Sequence, residues 1–307
     1  MRRKQDERHF PYWFQYKEAF LASNHPEGSD EPVSAGEPRR RRKWAGYAAA
    51  GVALLVLVSI ALPFRRNSGE TTFTDEFDAV TEDALAEKGW FVQSKTEDYW
   101  DRRGEKPGHL TLFTLSGDNW PDAHHEEEIK NLLLRSIPSD CFIAELHLSD
   151  FFPTQNWQQA GLLLLEDTTL TGKSLRLSIG YNDFSGGFTG PREVIVQAVT
   201  SLGREFSKPE EIAHHQLFAL EPETDSLTRA NLAYSALRIE RRSDGFRLLY
   251  SNGPLPNTAF KEVARTAFSM RPAYVGLFAL RGWVDHAEAM PVYIDAFNLT
   301  GYPCKDS

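Results

Sequence analysis

Four aromatic side chains lie near the predicted ends of strands, where a ring can stay exposed to solvent. An exposed aromatic face packs against the C–H face of a sugar ring, while nearby amides and carboxylates bind the hydroxyl groups of the sugar. The sequence places both kinds of side chain together. The predicted ligand-binding residues are Trp120, Trp157, Gln158, Gln159, Tyr181, Asn182, Asp183 and Trp283. Packing of each ring beneath a loop is the alternative.

The histidines and carboxylates do not have the spacing of a zinc or catalytic site. The run HHEEE at residues 124–128 lacks the His-Glu-x-x-His pattern that places two histidines on one helix face. His214 and His215 are adjacent, so in a strand their side chains point to opposite faces. We therefore predict no catalytic residues and expect these histidines in a solvated loop and an ordinary strand.

The chain contains two cysteines, Cys141 and Cys304. A disulfide between them would tie the C-terminal end of the domain to an early strand, and it would persist outside the cytoplasm. Two free or buried thiols are the alternative, because the sequence carries no information on geometry.

Short apolar runs separated by turn residues follow residue 63, and no 3.6-residue period persists over many turns. Fourteen such runs between residues 72 and 301 predict strands, with Trp90 and Trp100 in the core. Residues 243–245, Ser-Asp-Gly, predict a hairpin turn. Only residues 81–89 and 209–215 resemble short helical turns. The pattern predicts a single all-β sandwich domain over residues 70–307.

Residues 44–62 contain no charge over 19 positions, which is about 28 Å of helix and close to the thickness of a bilayer core. Five basic residues, 39–43, precede this run and two, Arg65 and Arg66, follow it. We predict a transmembrane helix over residues 44–64, with residues 1–43 as a cytoplasmic tail and linker and the sandwich outside the cytoplasm. A cleaved signal peptide and a buried core helix fit these flanks less well.

The two sides of this predicted span differ in charge. Of 34 basic and 43 acidic residues in the chain, residues 67–307 hold 22 and 36, a net charge of −14. An acidic domain repels polyanions, so we expect no nucleic-acid partner. The tail carries six aromatic residues in its first 20 positions. It is interpreted either as a segment that rests on the inner leaflet or docks a partner, or as a disordered tail.

Several strings occur in an order that resembles the concanavalin A-like lectin and glucanase sandwiches. They are TDEFD, GWFV, PGHLTL, NLLLRSIPSDCFIAELHL, NWQQAGLLLLED, LRIERRSDGFRLLYSNG, AYVGLFALRG and VYIDAFNLTG. Over residues 72–303 the chain is most similar to the C-terminal β-sandwich of glycoside hydrolase family 43 β-xylosidases. The resemblance implies a jelly-roll β-sandwich. The 71 preceding residues are too few for the catalytic propeller of that family, so we expect none.

The resemblance also implies a possible metal site and the sequence pattern that a catalytic site would have. Related sandwiches bind Ca²⁺ between their N- and C-terminal strands, which here makes Asp75, Glu76, Asp78 and Asp295 the possible oxygen ligands. A hydrogen bond from Asp295 to a neighbouring turn is the alternative, and no cofactor is required. Hydrolytic relatives carry Glu-x-Asp-x-Glu or a similar string on one strand, which this sequence lacks.

These observations favour a membrane-anchored, non-catalytic binding module outside the cytoplasm, with the lipid bilayer and an oligo- or polysaccharide as partners. A structural or signalling protein whose sandwich binds an envelope protein, or whose tail binds a cytoplasmic one, is the second hypothesis. A glycoside hydrolase is the third. The localisation expected in all three cases is the cell membrane, with a single span and the N-terminus in the cytoplasm.

Overall fold

Strands dominate the part of the chain that the structure describes. The structure is a computed structural model that describes residues 70–118, 128–155, 157–169, 172–182, 192–203, 209–219, 225–256, 258–282 and 288–304. In chain order, these residues form β1 (Thr71–Asp75), α1 (Glu82–Glu87), β2 (Trp90–Gln93), α2 (Glu97–Trp100), β3 (Leu110–Phe113), β4 (Leu132–Ser136), β5 (Cys141–Ser149), β6 (Gln159–Leu165), β7 (Ser174–Asn182), β8 (Glu193–Ser201), β9 (Glu210–Ala219), α3 (Asp225–Asn231), β10 (Tyr234–Arg242), β11 (Gly245–Gly253), β12 (Lys261–Thr266), β13 (Tyr274–Leu280) and β14 (Pro291–Tyr302).

The strands form two antiparallel sheets of seven strands each. The first sheet has the order β1-β14-β5-β10-β11-β12, and β3 also pairs with β14. The second sheet has the order β2-β4-β13-β6-β7-β8-β9. Side chains from both sheets meet in one large apolar cluster. The predicted all-β sandwich is therefore confirmed.

Strand β5 shows how alternate residues are buried in the core between the sheets. In β5, Phe142, Ala144, Leu146 and Leu148 are buried, whereas the intervening Ile143, Glu145 and His147 are only partly buried. This alternation is the one that the sequence predicts, because successive side chains of a strand point to opposite faces. Trp90 and Trp100 are both 2% exposed, as predicted for core residues.

The predicted strands all occur, with ends that differ by a few residues. The hairpin between β10 and β11 turns at residues 243–245, where Gly245 adopts a φ of 135°. The first predicted helical turn is α1, whose N-cap Thr81 accepts a hydrogen bond from the backbone N–H of Ala84. The second prediction, a helical turn at residues 209–215, is wrong. That segment begins β9, and its pairing with β8 outweighs the local helical preference.

Cys141 and Cys304 form a disulfide, with their Cα atoms 5.2 Å apart. The bridge lies beside the pairing of Cys141 with Tyr302, so it fixes the end of β14 to the start of β5. It closes a loop of 163 residues, and a crosslink over such a long separation removes much of the conformational freedom of the unfolded chain.

The predicted transmembrane helix and cytoplasmic tail lie outside the described residues. Within the described ranges, no helix combines the length and the hydrophobicity that are needed to cross a membrane.

The predicted calcium ligands do not come together. Asp75 is buried in the core, and it pairs in register with the buried Phe297 of β14. Asp295 lies at an irregularity of β14 and keeps 44% of its side chain exposed, while Glu76 is exposed. Among the described residues, no group of three His, Cys, Asp or Glu side chains could hold a metal ion. Asp75 therefore points into the sandwich, whereas Glu76 and Asp78 are exposed, and Ca²⁺ binding stays a prediction.

Asp75 instead binds donors of the protein itself. Its Oδ1 accepts hydrogen bonds from the backbone N–H of Phe77 at 2.9 Å and from Lys88 Nζ at 2.6 Å. Its Oδ2 accepts a hydrogen bond from Trp90 Nε1 at 2.9 Å. A buried carboxylate is tolerated when its charge and lone pairs are satisfied in this way. Asp75 therefore links β1, at the edge of the first sheet, to β2, at the edge of the second sheet.

We expect Asp75→Ala to lower the free energy of unfolding by about 3 kcal/mol, because two buried N–H donors lose their acceptor and Lys88 loses its counter-ion. Urea unfolding of the full chain in detergent, followed by tryptophan fluorescence, measures this change. Glu76→Ala, at the exposed neighbouring position, is the control and should change stability by less than about 0.5 kcal/mol. Equal effects of the two substitutions would contradict this role for Asp75.

Candidate functional site

The outer face of the second sheet carries polar side chains. The inner face of the same strands carries apolar side chains, which are buried in the core. On β7, Leu175, Leu177 and Ile179 belong to the core between the sheets. The intervening Arg176 and Ser178 therefore point outward, and the same alternation applies to β6 and β8. We call eight of the outward polar side chains of β6 to β9 the polar row. They are Gln159, Arg176, Ser178, Asn182, Glu193, Gln197, Glu211 and His214.

Hydrogen bonds connect the members of the polar row across neighbouring strands. Ser178 Oγ on β7 donates to Gln159 Oε1 on β6 at 3.0 Å. Asn182 Nδ2 on β7 donates to Glu193 Oε1 on β8 at 2.7 Å. Gln197 Nε2 on β8 lies 2.7 Å from Glu211 Oε2 on β9, to which it donates. At least one such hydrogen bond thus joins each neighbouring pair of strands from β6 to β9.

His214 joins the two carboxylates of the row. Its Nε2 lies 2.9 Å from Glu193 Oε1 and its Nδ1 lies 3.0 Å from Glu211 Oε1. The hydrogen bond to Glu211 is the largest cause of the raised pKa of His214. Burial opposes it, but the hydrogen bond to Glu193 adds to it, and the pKa reaches about 9. His214 is therefore an imidazolium at neutral pH, and both of its ring nitrogens donate.

The row becomes more accessible toward β9. Arg176 has 2% of its side chain exposed, and it binds Asp118 Oδ1 at 3.0 Å. Burial lowers the pKa of Arg176, against the effect of Asp118. By contrast, about a third of the side chains of His214 and Glu211 is exposed. A ligand would therefore meet the polar row at its β9 end.

A second apolar cluster lies on the same outer face, on the side of β4, β6 and β13. It contains Ile129, Leu132, Leu134, Leu163, Leu165, Phe278 and Leu280. The guanidinium carbon of Arg176 lies 5.8 Å from the centre of the Phe278 ring, at the boundary between this cluster and the polar row. The face therefore changes from apolar to polar along the direction from β4 to β9.

Two of the ligand-binding residues predicted from the sequence belong to the polar row. Gln159 and Asn182 belong to it, but both are buried and hydrogen-bonded. Tyr181 is 4% exposed, so its ring does not offer the exposed face that the sequence predicts. Burial follows because Tyr181 pairs in register with the core residue Val194 of β8, so both side chains point to the core side of the sheet.

Gln158 and Trp157, two further residues of the predicted ligand site, precede β6 and do not belong to the polar row. Gln158 is 1% exposed, and its Oε1 accepts hydrogen bonds from the backbone N–H groups of Thr154 and Gln155. Trp157 is partly buried at a φ of 61°, and its backbone N–H donates to the carbonyl of Tyr181. The predicted Trp120, Asp183 and Trp283 lie outside the described residues.

Six members of the polar row were not predicted from the sequence. His214 was expected in an ordinary strand, and Arg176, Ser178, Glu193, Gln197 and Glu211 were not considered. The signal was present: polar residues occur two or four positions apart within the otherwise apolar strands at residues 173–181 and 193–200. This spacing keeps the polar side chains on one face. Their pairing with β9 depends on the fold and could not be seen in the sequence.

Comparisons with known proteins support the fold. No protein-family model and no curated protein sequence matches the chain. Among solved structures, the GH43 protein BlXynB from Bacillus licheniformis is similar, with a TM-score of 0.54, 18% sequence identity and 75% of this chain covered. A mutant of the same protein matches with a TM-score of 0.54 and 17% identity. The xylan beta-1,4-xylosidase from Bacillus halodurans C-125 has a TM-score of 0.47 and 15% identity, over 74% of this chain.

The aligned chain spans about two fifths of the length of these solved chains, 39% for BlXynB and 38% for the xylosidase. At this identity the likeness shows the fold. The resemblance to the GH43 sandwich that the sequence suggests is confirmed at that level.

The ion pairs of His214 predict a pH dependence of stability. The folded pKa, about 9, lies above the ordinary value of 6.5 in the unfolded chain, so the stabilisation is fully present below pH 6.5 and is lost as the pH rises through 9. We expect the loss to be about 1 kcal/mol, because the partly exposed imidazole is screened by solvent. Urea unfolding at pH 6 and pH 9.5 measures it. The variant His214→Gln should lack this loss, and an equal loss in both proteins would contradict the ion pairs.

Proposed function

We propose that the chain is a membrane-anchored module that binds carbohydrate outside the cytoplasm without hydrolysing it, and that the polar row contributes to the binding site. The observation that carries the proposal is the polar row itself, where hydroxyl, amide, carboxylate and imidazolium groups occupy neighbouring strands. Sugar hydroxyls both donate and accept hydrogen bonds, and at the exposed β9 end of the row His214 supplies a donor beside the acceptor oxygens of Glu211.

Charge and fold are consistent with this ligand class. The carboxylates of Glu193 and Glu211 share the single cation of His214, so the accessible end of the row keeps one negative charge and would repel an anionic ligand. The sandwich shares its fold with a protein named as a member of GH43, a group of glycoside hydrolases. A non-catalytic role is supported by the sequence, which lacks the alternating carboxylates of hydrolytic relatives.

The sugar ligand can be tested with the full chain in a mild detergent. We expect saturable binding of at least one class in a panel of xylo-, gluco-, manno- and galacto-oligosaccharides, measured by calorimetry. His214→Ala removes an exposed donor, and Gln197→Ala removes the buried donor that holds the exposed Glu211 in place. Each should weaken that binding about tenfold, which corresponds to the loss of one or two hydrogen bonds. Thr72→Ala, on the exposed edge of the first sheet, is the matched control and should bind normally.

Two results would contradict the proposal. One is a flat response to the whole panel from chain that unfolds cooperatively. The other is binding that neither Gln197→Ala nor His214→Ala changes. Release of reducing sugar from any of the oligosaccharides would contradict the non-catalytic part alone.

The membrane anchor rests on the uncharged run at residues 44–62 and its basic N-terminal flank. We expect the full chain to remain in the membrane fraction after washing with high salt and alkaline carbonate. A double variant, Leu55→Arg with Val58→Arg, should move it to the soluble or aggregated fraction, because each arginine costs about 3 kcal/mol at the centre of a membrane helix. Leu55→Ile with Val58→Leu is the matched control. Release of the unsubstituted chain by carbonate would contradict the anchor.

A further inference from the structure

A cleft of about 240 Å³ opens on the outer face of the first sheet, the sheet that does not carry the polar row. Its lining includes Glu145 and His147 on β5, Tyr234, Ala236 and Arg238 on β10, and Asp295 on β14. The residues that follow β11, namely Leu255, Pro256, Thr258 and Phe260, form one wall. We call this depression the β5–β10 cleft.

The floor of the cleft follows from one small side chain in the register of the sheet. Ala236 pairs with His147 on one side and with Ser251 on the other. On the same face of β10, the residues two positions away are the larger Tyr234 and Arg238. A short side chain between larger neighbours leaves a depression about one side chain deep. The cleft is therefore specified by the alternation Tyr-x-Ala-x-Arg at residues 234–238.

A second wall of the cleft consists of charged side chains that hydrogen bonds hold in place. Glu145 lies directly opposite Arg238, whose Nε donates to Glu145 Oε2 at 2.6 Å. His147 Nε2 lies 2.6 Å from Glu145 Oε1. Burial acts to raise the pKa of Glu145, but the hydrogen bonds from His147 and Arg238 outweigh it, and the pKa is lowered. Arg238 also lies over the Phe260 ring, 3.8 Å from its centre, so this wall is held in place from both sides.

The other groups of the cleft are available to a ligand. Asp295 keeps 44% of its side chain exposed, and its nearest ionic contact, with His109, is 3.5 Å long. Tyr234 is 38% exposed and Leu255 is 69% exposed, which places two apolar surfaces at the mouth of a polar cleft. An apolar rim above fixed polar groups is the arrangement that orients a small amphipathic ligand.

We propose that the β5–β10 cleft is a second binding site, which takes one neutral pyranose ring of an oligosaccharide. The inference rests on the proposed carbohydrate function and adds a site to it. Its volume is below the roughly 300–1,000 Å³ of pockets for drug-sized ligands, so it suits a single ring. The ring packs on Tyr234 and Leu255, and its hydroxyls bind Asp295 and His147.

The charges of the cleft determine which sugars fit. Arg238 is already neutralised by Glu145, and Asp295 adds a carboxylate that would repel an acidic sugar. We therefore expect a neutral oligosaccharide to bind more tightly than one in which a uronic acid replaces the same ring.

Photoaffinity labelling of the full chain in detergent tests the site directly. The probe is the neutral oligosaccharide that binds best in the panel above, with a diazirine attached, and labelled peptides are identified by mass spectrometry. We expect label in the peptides that contain residues 234–238 or 255–260. The variant Ala236→Leu fills the floor of the cleft and should reduce this label about tenfold, while Ala236→Ser should keep it. Asp295→Ala should reduce it as well.

The outcomes separate this inference from the proposed function. Label that is confined to other peptides, or that Ala236→Leu leaves unchanged, overturns the second site while sugar binding through the polar row stands. Label at residues 234–238 that persists in Gln197→Ala supports a separate site. If a probe with a uronic acid in place of the same ring labels the cleft as strongly as the neutral probe, the proposal that the ligand is a neutral sugar is overturned. Absence of both calorimetric binding and label overturns the site together with the carbohydrate function.

Discussion

The pairing of β14 with strands from three separate parts of the chain is the constraint on which the first sheet depends. β14 pairs with β5 along most of its length, and it also pairs with β1 and β3. The first described strand and the last are therefore neighbours, so this sheet is complete only when the whole domain has folded. The disulfide at the start of β5 fixes the end of this closing strand.

The same pairing places functional groups on the outer face. The register of β14 against β5 shifts between Ile294 and Ala296, and Asp295 lies at this shift. Such irregularities re-aim a side chain without breaking the sheet. Here the irregularity leaves the carboxylate of Asp295 exposed at the β5–β10 cleft, while Ile294 stays buried in the core.

On the outer face of each sheet, carboxylates form ion pairs or hydrogen bonds with arginine or histidine side chains. Glu145 is bound by Arg238 and His147, and Glu193 and Glu211 share His214. Partly buried carboxylates need such partners, because removing a charge from water is costly unless opposite charge and hydrogen bonds replace the solvent. The pairs fix the side chains before any ligand arrives, which reduces the entropy lost when a ligand binds.

The sequence by itself determined the strands, the hairpin at residues 243–245 and the inward faces, because alternation and turn residues are local signals. It left the cysteine pairing open, and it misassigned residues 209–215, whose strand depends on pairing with β8. Only the tertiary structure decided which polar residues meet: Glu145 and Arg238 are 93 positions apart. The same is true of Asp75, a predicted metal ligand that binds Trp90 inside the core. Strand order and register bring such residues together, and no local pattern encodes either.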